Sequence, residues 1–407
     1  MSNFEFVDGG VCAAKGYKAS GTYSGIRRNP NKDDMSMIVS EVPANAAAVF
    51  TKNKVKAAHI KVMKRHLSDH TAQAVVVNSG NANTCTANGE EIAEFACSKA
   101  AKALSIRPAD VMPASTGVIG VPLTEDPFEK GIPSLTSKLR NNGSGEAARA
   151  IMTTDTLPKE LAVRFEIGGK ECTIGGIAKG SGMIHINMGT MLSFLCSDAA
   201  ISKELLEKAL REEVPDSFNQ ISVDGDTSTN DTLLIMANGL AGNPEITEEG
   251  EDYRIFTEAL HGLCTEFARK IAGDGEGATK LMEVHVSGAP SKEIARKVSK
   301  QVVSSTLLKA AIYGEDANWG RVLCAVGYTD ADFSCDHVEV SIGSKSGAIL
   351  VCRESAAVPF SEEEASKILA EEHVIISVDL HDGSKEASAY GCDLTHEYVS
   401  INGDYRS

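Results

Sequence analysis

The most constraining feature of this sequence is a glycine-rich turn that runs directly into an apolar segment. Residues 179–192 read KGSGMIHINMGTML, with the dipeptide Gly189-Thr190 between the turn and the apolar residues. If the bond before Thr190 breaks, that residue becomes an N-terminus with a hydroxyl nucleophile and an amine base. A threonine hydroxyl needs an adjacent base, and a free α-amino group, with a reference pKa near ~7.7–8.0, suits that role. If the chain stays uncleaved, the same segment is a turn that leads into a buried strand. The Gly-Thr dipeptide, taken alone, favours this second interpretation.

The acidic balance of the chain excludes a large class of partners. The formal net charge is −16 over 407 residues, so the chain lacks the basic surface that nucleic acids and anionic membranes attract. The sequence contains no signal-peptide pattern and no apolar run of the roughly 18 residues that span a bilayer. Its ten cysteines form no C-x-x-C pair, which favours reduced thiols. We therefore expect a cytoplasmic protein without nucleic-acid or membrane partners.

Length and periodicity predict a mixed α/β protein. A chain of 407 residues accommodates two domains, and we place the boundary so that they span residues 1–283 and 284–407. Apolar or alternating runs predict strands at 74–77, 282–286, 338–342 and 374–380. Helical spacing, with Ser202 and Ser291 as N-caps, predicts helices over 90–104, 203–211 and 255–271 and a fourth that carries Ile294, Val298, Val302 and Leu307.

Two polar turns are candidates for function, and a third segment is interpreted as structural. After residues 111–113, Thr116 and Gly117 stand in a turn of small residues, which is either a simple loop or an oxyanion hole built from a hydroxyl and a backbone amide. Residues 152–156 place three threonines beside an aspartate, which is typical of a helix cap but also suits a polar pocket wall. The single tryptophan, Trp319, is interpreted as the anchor of a structured loop.

Familiar metal signatures are incomplete in this chain. Residues 224–231 begin like a calcium loop, but Thr229 stands where that loop requires glycine. His66 and His70 have the spacing of a zinc-binding helix, but Leu67 replaces the required glutamate, so a solvated helix face is the better interpretation. The sequence therefore predicts no metal and no cofactor.

Seven segments together resemble one enzyme family in sequence and in order. They are residues 78–83, 115–120, 151–156, 179–192, 224–231, 276–280 and 316–321. On these segments the chain resembles the glutamate N-acetyltransferase, or ornithine acetyltransferase, family of arginine biosynthesis, whose members cleave themselves to expose a threonine nucleophile. The resemblance implies an α/β fold: an αββα-type sandwich as the main domain, and a smaller C-terminal α/β domain whose tail reaches the active site.

The resemblance also implies a reaction and a set of site residues. Cleavage between Gly189 and Thr190 would yield an α and a β piece, expected as a heterotetramer of two α and two β chains. Thr190 would then take an acetyl group from N-acetylornithine and pass it to glutamate. Thr116 and Gly117 match the oxyanion hole. The positions that match substrate-binding residues are Thr153, Lys179, Thr190, Glu276, Asn402 and Ser407.

Two other functions stay open on the sequence. One is a self-processing N-terminal-nucleophile aminopeptidase or amidase of similar architecture, which would release the acyl group to water. The other is a binding protein in which the chain stays uncleaved. The order of the motifs and a pocket that contains Lys179 and Glu276 favour acetyl transfer. Whether acetyl-CoA also serves as a donor, which would make the enzyme bifunctional, is left open.

Overall fold

Two large β-sheets organise the chain in the computed structural model, which describes residues 3–185 and 191–404. Within these residues, the strands are β1 (Phe4–Val7), β2 (Tyr17–Thr22), β3 (Met35–Phe50), β4 (Thr71–Asn81), β5 (Val111–Val118), β6 (Lys159–Ile167), β7 (Lys170–Lys179), β8 (Ile184–His185), β9 (Leu192–Ser197), β10 (Ile221–Thr227), β11 (Thr232–Ala237), β12 (Leu281–Ala289), β13 (Glu339–Ser344), β14 (Gly347–Arg353), β15 (Ala356–Ala357), β16 (His373–Asp379) and β17 (Lys385–Cys392).

Helices alternate with these strands, so the predicted α/β class is confirmed. The α-helices are α1 (Ala58–His66), α2 (Gly89–Leu104), α3 (Asp126–Lys138), α4 (Ser144–Ile151), α5 (Lys203–Glu213), α6 (Glu251–Gly273), α7 (Lys292–Val303), α8 (Thr306–Tyr313), α9 (Trp319–Gly327), α10 (Glu362–Leu369) and α11 (His396–Asp404). No helix within the described ranges combines the length and apolar character that a membrane crossing demands.

The first sheet carries the strands that matter for the candidate site. Its order is β1-β6-β7-β9-β11-β3-β4-β5, and β2 also pairs with β3. At its centre β9 and β11 run parallel, while β7 pairs antiparallel with β9 and β3 antiparallel with β11. The second sheet has the order β15-β14-β13-β16-β12-β17-β10-β8. Strands close together in the chain therefore enter different sheets, as β9 and β10 do.

The long helix α6 joins the hydrophobic layers of both sheets. Phe256 and Phe267 of this helix are fully buried, and the Phe256 ring meets Phe165 of β6 edge-on at 6.0 Å between centroids. The same core includes Ile221 of β10 and Tyr390 of β17. Each large apolar side chain contributes about 1.5–3 kcal/mol to folding stability when it is fully buried. The apolar side chains of α6 therefore stabilise the packing of this helix against both sheets.

A second hydrophobic core gathers around α7, α10 and the strands of the second sheet. It begins in sequence at Met282, within β12. The predicted boundary between residues 283 and 284 thus falls inside that strand. The second sheet also takes in β8 and β10, which precede the boundary. The division into domains at that position stays a prediction.

Local signals located several helices correctly. The hydroxyl of Ser202 accepts a hydrogen bond from the Leu205 amide at the start of α5. Ser291 caps α7 in the same way through the Ile294 amide. Because these caps satisfy amides that lack an intrahelical partner, they fix where each helix begins.

Three local interpretations were wrong. Leu307 does not extend α7, because Ser305 caps the separate helix α8, and Leu307 is exposed there. Trp319 opens α9 instead of lying in a loop, since the Asn318 side chain caps that helix, although its ring does pack against the second core as expected. His66 is buried rather than solvated, and its ring bonds the Val111 carbonyl and the Glu94 carboxylate.

Candidate active site

The candidate site lies at the edge of the first sheet where β7 ends and β9 and β11 begin. Lys179, the last residue of β7, pairs with Leu192 of β9, and Leu192 pairs with Thr232 of β11. The carbonyl of Met191 accepts a hydrogen bond from the Thr232 amide at 3.0 Å. A cavity of about 140 Å³ opens at this edge. It is far larger than the ~10–15 Å³ that a single water molecule needs.

The cavity brings together residues that lie far apart in the chain. Its described lining comprises Thr116, Gly117, Ile119, Thr153, Thr154, Lys179, Gly182, Met183, Met191, Leu192, Ser228, Thr229, Asn230, Asp231, Glu276 and Asn402. Six of the residues predicted from the sequence are in that list: Thr116, Gly117, Thr153, Lys179, Glu276 and Asn402. The other predicted residues, Gly189, Thr190 and Ser407, lie outside the described residues.

The turn at Thr116 and Gly117 is pressed against the end of the neighbouring strand. Gly117 has a φ of +133°, and a β-carbon there would lie 2.2 Å from the carbonyl carbon of Gly80. Only glycine fits such a conformation and approach. The turn therefore presents its backbone to the cavity at a fixed position, as an oxyanion hole requires.

Asn230, which also lines the cavity, holds this turn in place. Its side-chain amide donates to the carbonyls of Ala82 and Ser115, at 2.6 and 2.8 Å. Its oxygen accepts from the hydroxyls of Thr84 and Thr229, at 2.9 and 2.6 Å. All the hydrogen-bonding capacity of the amide is thus used, which fixes the backbone just before Thr116.

A buried ion pair supports the cationic side of the cavity. The Lys179 ammonium donates to the Thr153 hydroxyl at 2.7 Å and lies 3.8 Å from the Asp155 carboxylate. Burial lowers the pKa of Lys179, and the Asp155 carboxylate opposes that shift. Burial of Asp155 favours its neutral form, but Lys179 and Lys159 outweigh it and hold the pKa of Asp155 well below its usual range. The Lys179 nitrogen therefore lies beside a carboxylate that favours the cationic form of the lysine against the effect of burial.

The anionic side of the cavity is formed by Glu276. Its carboxylate accepts a hydrogen bond from the Asn402 side-chain amide at 2.7 Å, and its backbone amide donates to the Ser181 carbonyl at 3.1 Å. Asn402 belongs to α11, so the chain near its end is folded against the cavity and not frayed. A cation and an anion consequently line one small space.

Sequence reasoning missed the supporting roles of Asn230, Asp155 and Lys159. Asn230 and Asp155 stand in segments that match the family, 224–231 and 151–156. The motifs therefore marked these segments but did not indicate what the two residues do. Lys159 stands outside those segments, and one of its two carboxylate partners, Asp274, is 115 residues away in the chain. Within the described part of the chain, no group of three or more His, Cys, Asp or Glu side chains is placed to hold a metal ion.

Comparison with known proteins gives a consistent result. The model of the ArgJ family matches residues 18–407. The arginine biosynthesis bifunctional protein ArgJ 1 of Clostridium acetobutylicum is 50% identical over 392 residues, which cover 96% of both chains. The ArgJ protein of Symbiobacterium thermophilum is 49% identical, over 99% of this chain and all of its own length.

A solved structure is also similar. The crystal structure of the arginine biosynthesis bifunctional protein ArgJ from Bacillus halodurans is 47% identical, with a TM-score of 0.50, and covers 52% of this chain and 98% of its own. The family model and the two relatives confirm, over nearly the whole sequence, the resemblance found in the motifs. This chain belongs to the ArgJ family.

Proposed function

We propose that this chain transfers an acetyl group from N-acetylornithine to glutamate through a covalent acetyl-Thr190 intermediate. Membership of the ArgJ family makes the chain an acyltransferase of arginine biosynthesis, as its motifs predicted. The observation that carries the proposal is the single cavity in which the Thr116–Gly117 turn, Lys179 and Glu276 meet. Such a cavity suits a small amino acid that bears both a carboxylate and an ammonium group.

The first chemical step is cleavage of the chain. The Thr190 hydroxyl attacks the Gly189 carbonyl carbon, the peptide C–N bond breaks, and an ester links the two residues. Water then hydrolyses the ester, which leaves a carboxylate on Gly189 and frees the α-amine and hydroxyl of Thr190. The threonine thereby acquires its own general base, since its amine is unprotonated in part near neutral pH.

Acetyl transfer then follows a ping-pong order. The Thr190 oxygen attacks the acetyl carbonyl of N-acetylornithine while the α-amine takes the hydroxyl proton. The negative oxygen of the tetrahedral intermediate is stabilised by the Thr116 hydroxyl and the Gly117 amide. The C–N bond breaks, and ornithine leaves with the proton. The amine of glutamate then attacks the acetyl ester, the bond between the acetyl carbon and the Thr190 oxygen breaks, and that oxygen regains a proton as N-acetylglutamate leaves.

Charge complementarity orients the donor. The α-carboxylate of N-acetylornithine pairs with the Lys179 ammonium, and its side-chain ammonium pairs with the Glu276 carboxylate. Thr153 and Asn402 hold those two protein groups through the hydrogen bonds at 2.7 Å. Ser407 completes the proposed binding set on the strength of the family match alone.

Gly182 provides a test of the Glu276 assignment. A β-carbon at Gly182 would lie 2.3 Å from the Glu276 carboxyl carbon, so Gly182→Ala must displace that carboxylate. Losing a charge-assisted contact costs about 1.5–3 kcal/mol, and we expect the KM for N-acetylornithine to rise by about tenfold or more. The control is Gly320→Ala, where the nearest contact is an ordinary 3.6 Å and KM should stay unchanged. An unaltered KM in Gly182→Ala would contradict the assignment.

Transfer of acetyl to isotope-labelled glutamate tests the function as a whole. Purified protein, N-acetylornithine and labelled glutamate should yield labelled N-acetylglutamate and free ornithine in equal amounts. Release of acetate without labelled product would favour the aminopeptidase or amidase alternative. An uncleaved chain without turnover would favour the binding protein.

Three further properties are part of the proposal. Acetyl-CoA serves as a second acetyl donor, which the name "bifunctional protein" of the relatives supports. No cofactor takes part in the proposed reaction. The cleaved pieces assemble as two α and two β chains. The enzyme works in the cytoplasm on small-molecule substrates, without nucleic-acid or membrane partners, consistent with its acidic charge.

A further inference from the structure

A network of buried side chains with alternating charges extends from the cavity into the interior. The Lys179 ammonium lies 3.8 Å from Asp155, whose carboxylate accepts from Lys159 at 2.9 Å. Lys159 in turn donates to Asp274 at 2.5 Å. The side chain of Asp155 is 0% exposed and that of Lys159 is 2% exposed. Buried charges are costly unless they are paired, so each member depends on its neighbours.

Asp155 also fixes the backbone around the substrate site. One carboxylate oxygen accepts from the Gly180 amide at 2.7 Å, and the other accepts from the Thr153 amide at 3.0 Å. These amides flank Lys179 and its hydroxyl partner. The carboxylate therefore holds both the position and the electrostatic surroundings of the Lys179 ammonium.

Asp274 connects the same network to the segment that carries Glu276. Its carboxylate accepts from the Thr156 and Leu157 amides, and its carbonyl accepts from the Ser181 hydroxyl at 2.8 Å. Glu276 follows two residues later. The wall that carries Lys179 and the loop that carries Glu276 are thus tied to one buried network.

We propose that Asp155 and Lys159 are positioning residues that set the charge and placement of Lys179 for the substrate carboxylate. The inference rests on the proposed function, in which Lys179 binds that carboxylate. The two residues act in opposite directions: Asp155 favours the cationic form of Lys179, and Lys159 disfavours it by repulsion. Among the residues that the structure describes, Glu276 and Asp231 also act on Lys179, and both favour the cation.

The opposite signs give a test that general damage to the fold does not mimic. The dissociation constant of ornithine, used as the probe, is measured by calorimetry from acidic to alkaline pH. The four proteins are wild type, Asp155→Asn, Lys159→Met and the double variant. Ornithine's own titration is common to all four proteins, so it cancels when the dissociation constant of each variant is divided by that of wild type at the same pH. Circular dichroism and thermal unfolding verify that each protein is folded.

We expect the pH above which ornithine binding weakens to differ among the four proteins in a fixed order. It should fall by about one to three units in Asp155→Asn, because an opposite charge at this distance shifts a pKa by that amount. It should rise in Lys159→Met, and the double variant should lie between Asp155→Asn and wild type. If one variant does not fold, the order of the remaining proteins still tests the proposal.

The outcomes separate this inference from the proposed function. Single variants that are folded but shift the transition in the same direction, or not at all, would overturn the positioning role. Wild-type protein that does not bind ornithine would instead overturn the proposed function. Opposite shifts around a wild type that binds ornithine would support both.

Discussion

Replacing Thr190 with alanine is expected to leave a single full-length chain with no measurable acetyl transfer. The substitution removes the hydroxyl that attacks the Gly189 carbonyl and that later carries the acetyl group, so processing and turnover fail together. Intact-mass spectrometry should show two pieces, ending at residue 189 and beginning at residue 190, for the native protein and one mass for the variant. The labelled-glutamate assay should show no product.

Thr190→Ser is the matched control for this prediction. It retains a hydroxyl at the same position, so two pieces and measurable transfer are expected, at reduced rates. A native protein that is fully active while uncleaved would contradict the N-terminal-nucleophile mechanism. The same would follow from a Thr190→Ala variant that is cleaved at the same bond.

Removing the Thr116 hydroxyl is expected to lower kcat by about 10²–10³-fold, with little change in the KM for N-acetylornithine. The loss of one oxyanion donor costs about 3–4 kcal/mol of transition-state stabilisation, and a group that acts in the transition state affects kcat more than binding. Thr116→Val is the suitable change because it keeps the volume of the side chain. Steady-state kinetics on fully cleaved protein measure the effect.

Two controls make the Thr116 result specific. Thr116→Ser keeps the hydroxyl and should retain most of kcat. Thr154→Val removes a hydroxyl from the same cavity wall at a position without a proposed oxyanion role, so its effect on kcat should be much smaller. Equal losses in Thr116→Val and Thr154→Val would indicate a general change in cavity polarity and contradict the oxyanion assignment.

The parts of the fold that sequence predicted well are those fixed by local interactions. Ser202 and Ser291 cap helices whose apolar residues recur with the helical period, and both caps form as expected. The error at Leu307 arose because the apolar period alone continues through the break, whereas the Ser305 cap begins a separate helix. Sequence patterns could not predict which strands pair with each other, because a pair such as β10 and β17 joins residues about 170 positions apart.

The same distinction holds for the candidate site. Family-like motifs named six residues that the fold gathers around one cavity, from Thr116 to Asn402. The groups that hold them were not evident, because the interaction of Lys159 with Asp274 depends on the packing of two distant segments. A sequence motif identifies the residues that contact the substrate, whereas the network that positions them is determined by the tertiary structure.

Detection of the acetylated enzyme tests the central claim most directly. Cleaved protein is mixed with N-acetylornithine in the absence of glutamate, quenched in acid and analysed by intact mass and peptide mapping. The proposed mechanism predicts one acetyl group on the piece that begins at Thr190, located on that residue, and its loss when glutamate is added before the quench. Steady transfer to glutamate with no acetyl group on either piece would contradict a covalent acetyl-Thr190 intermediate.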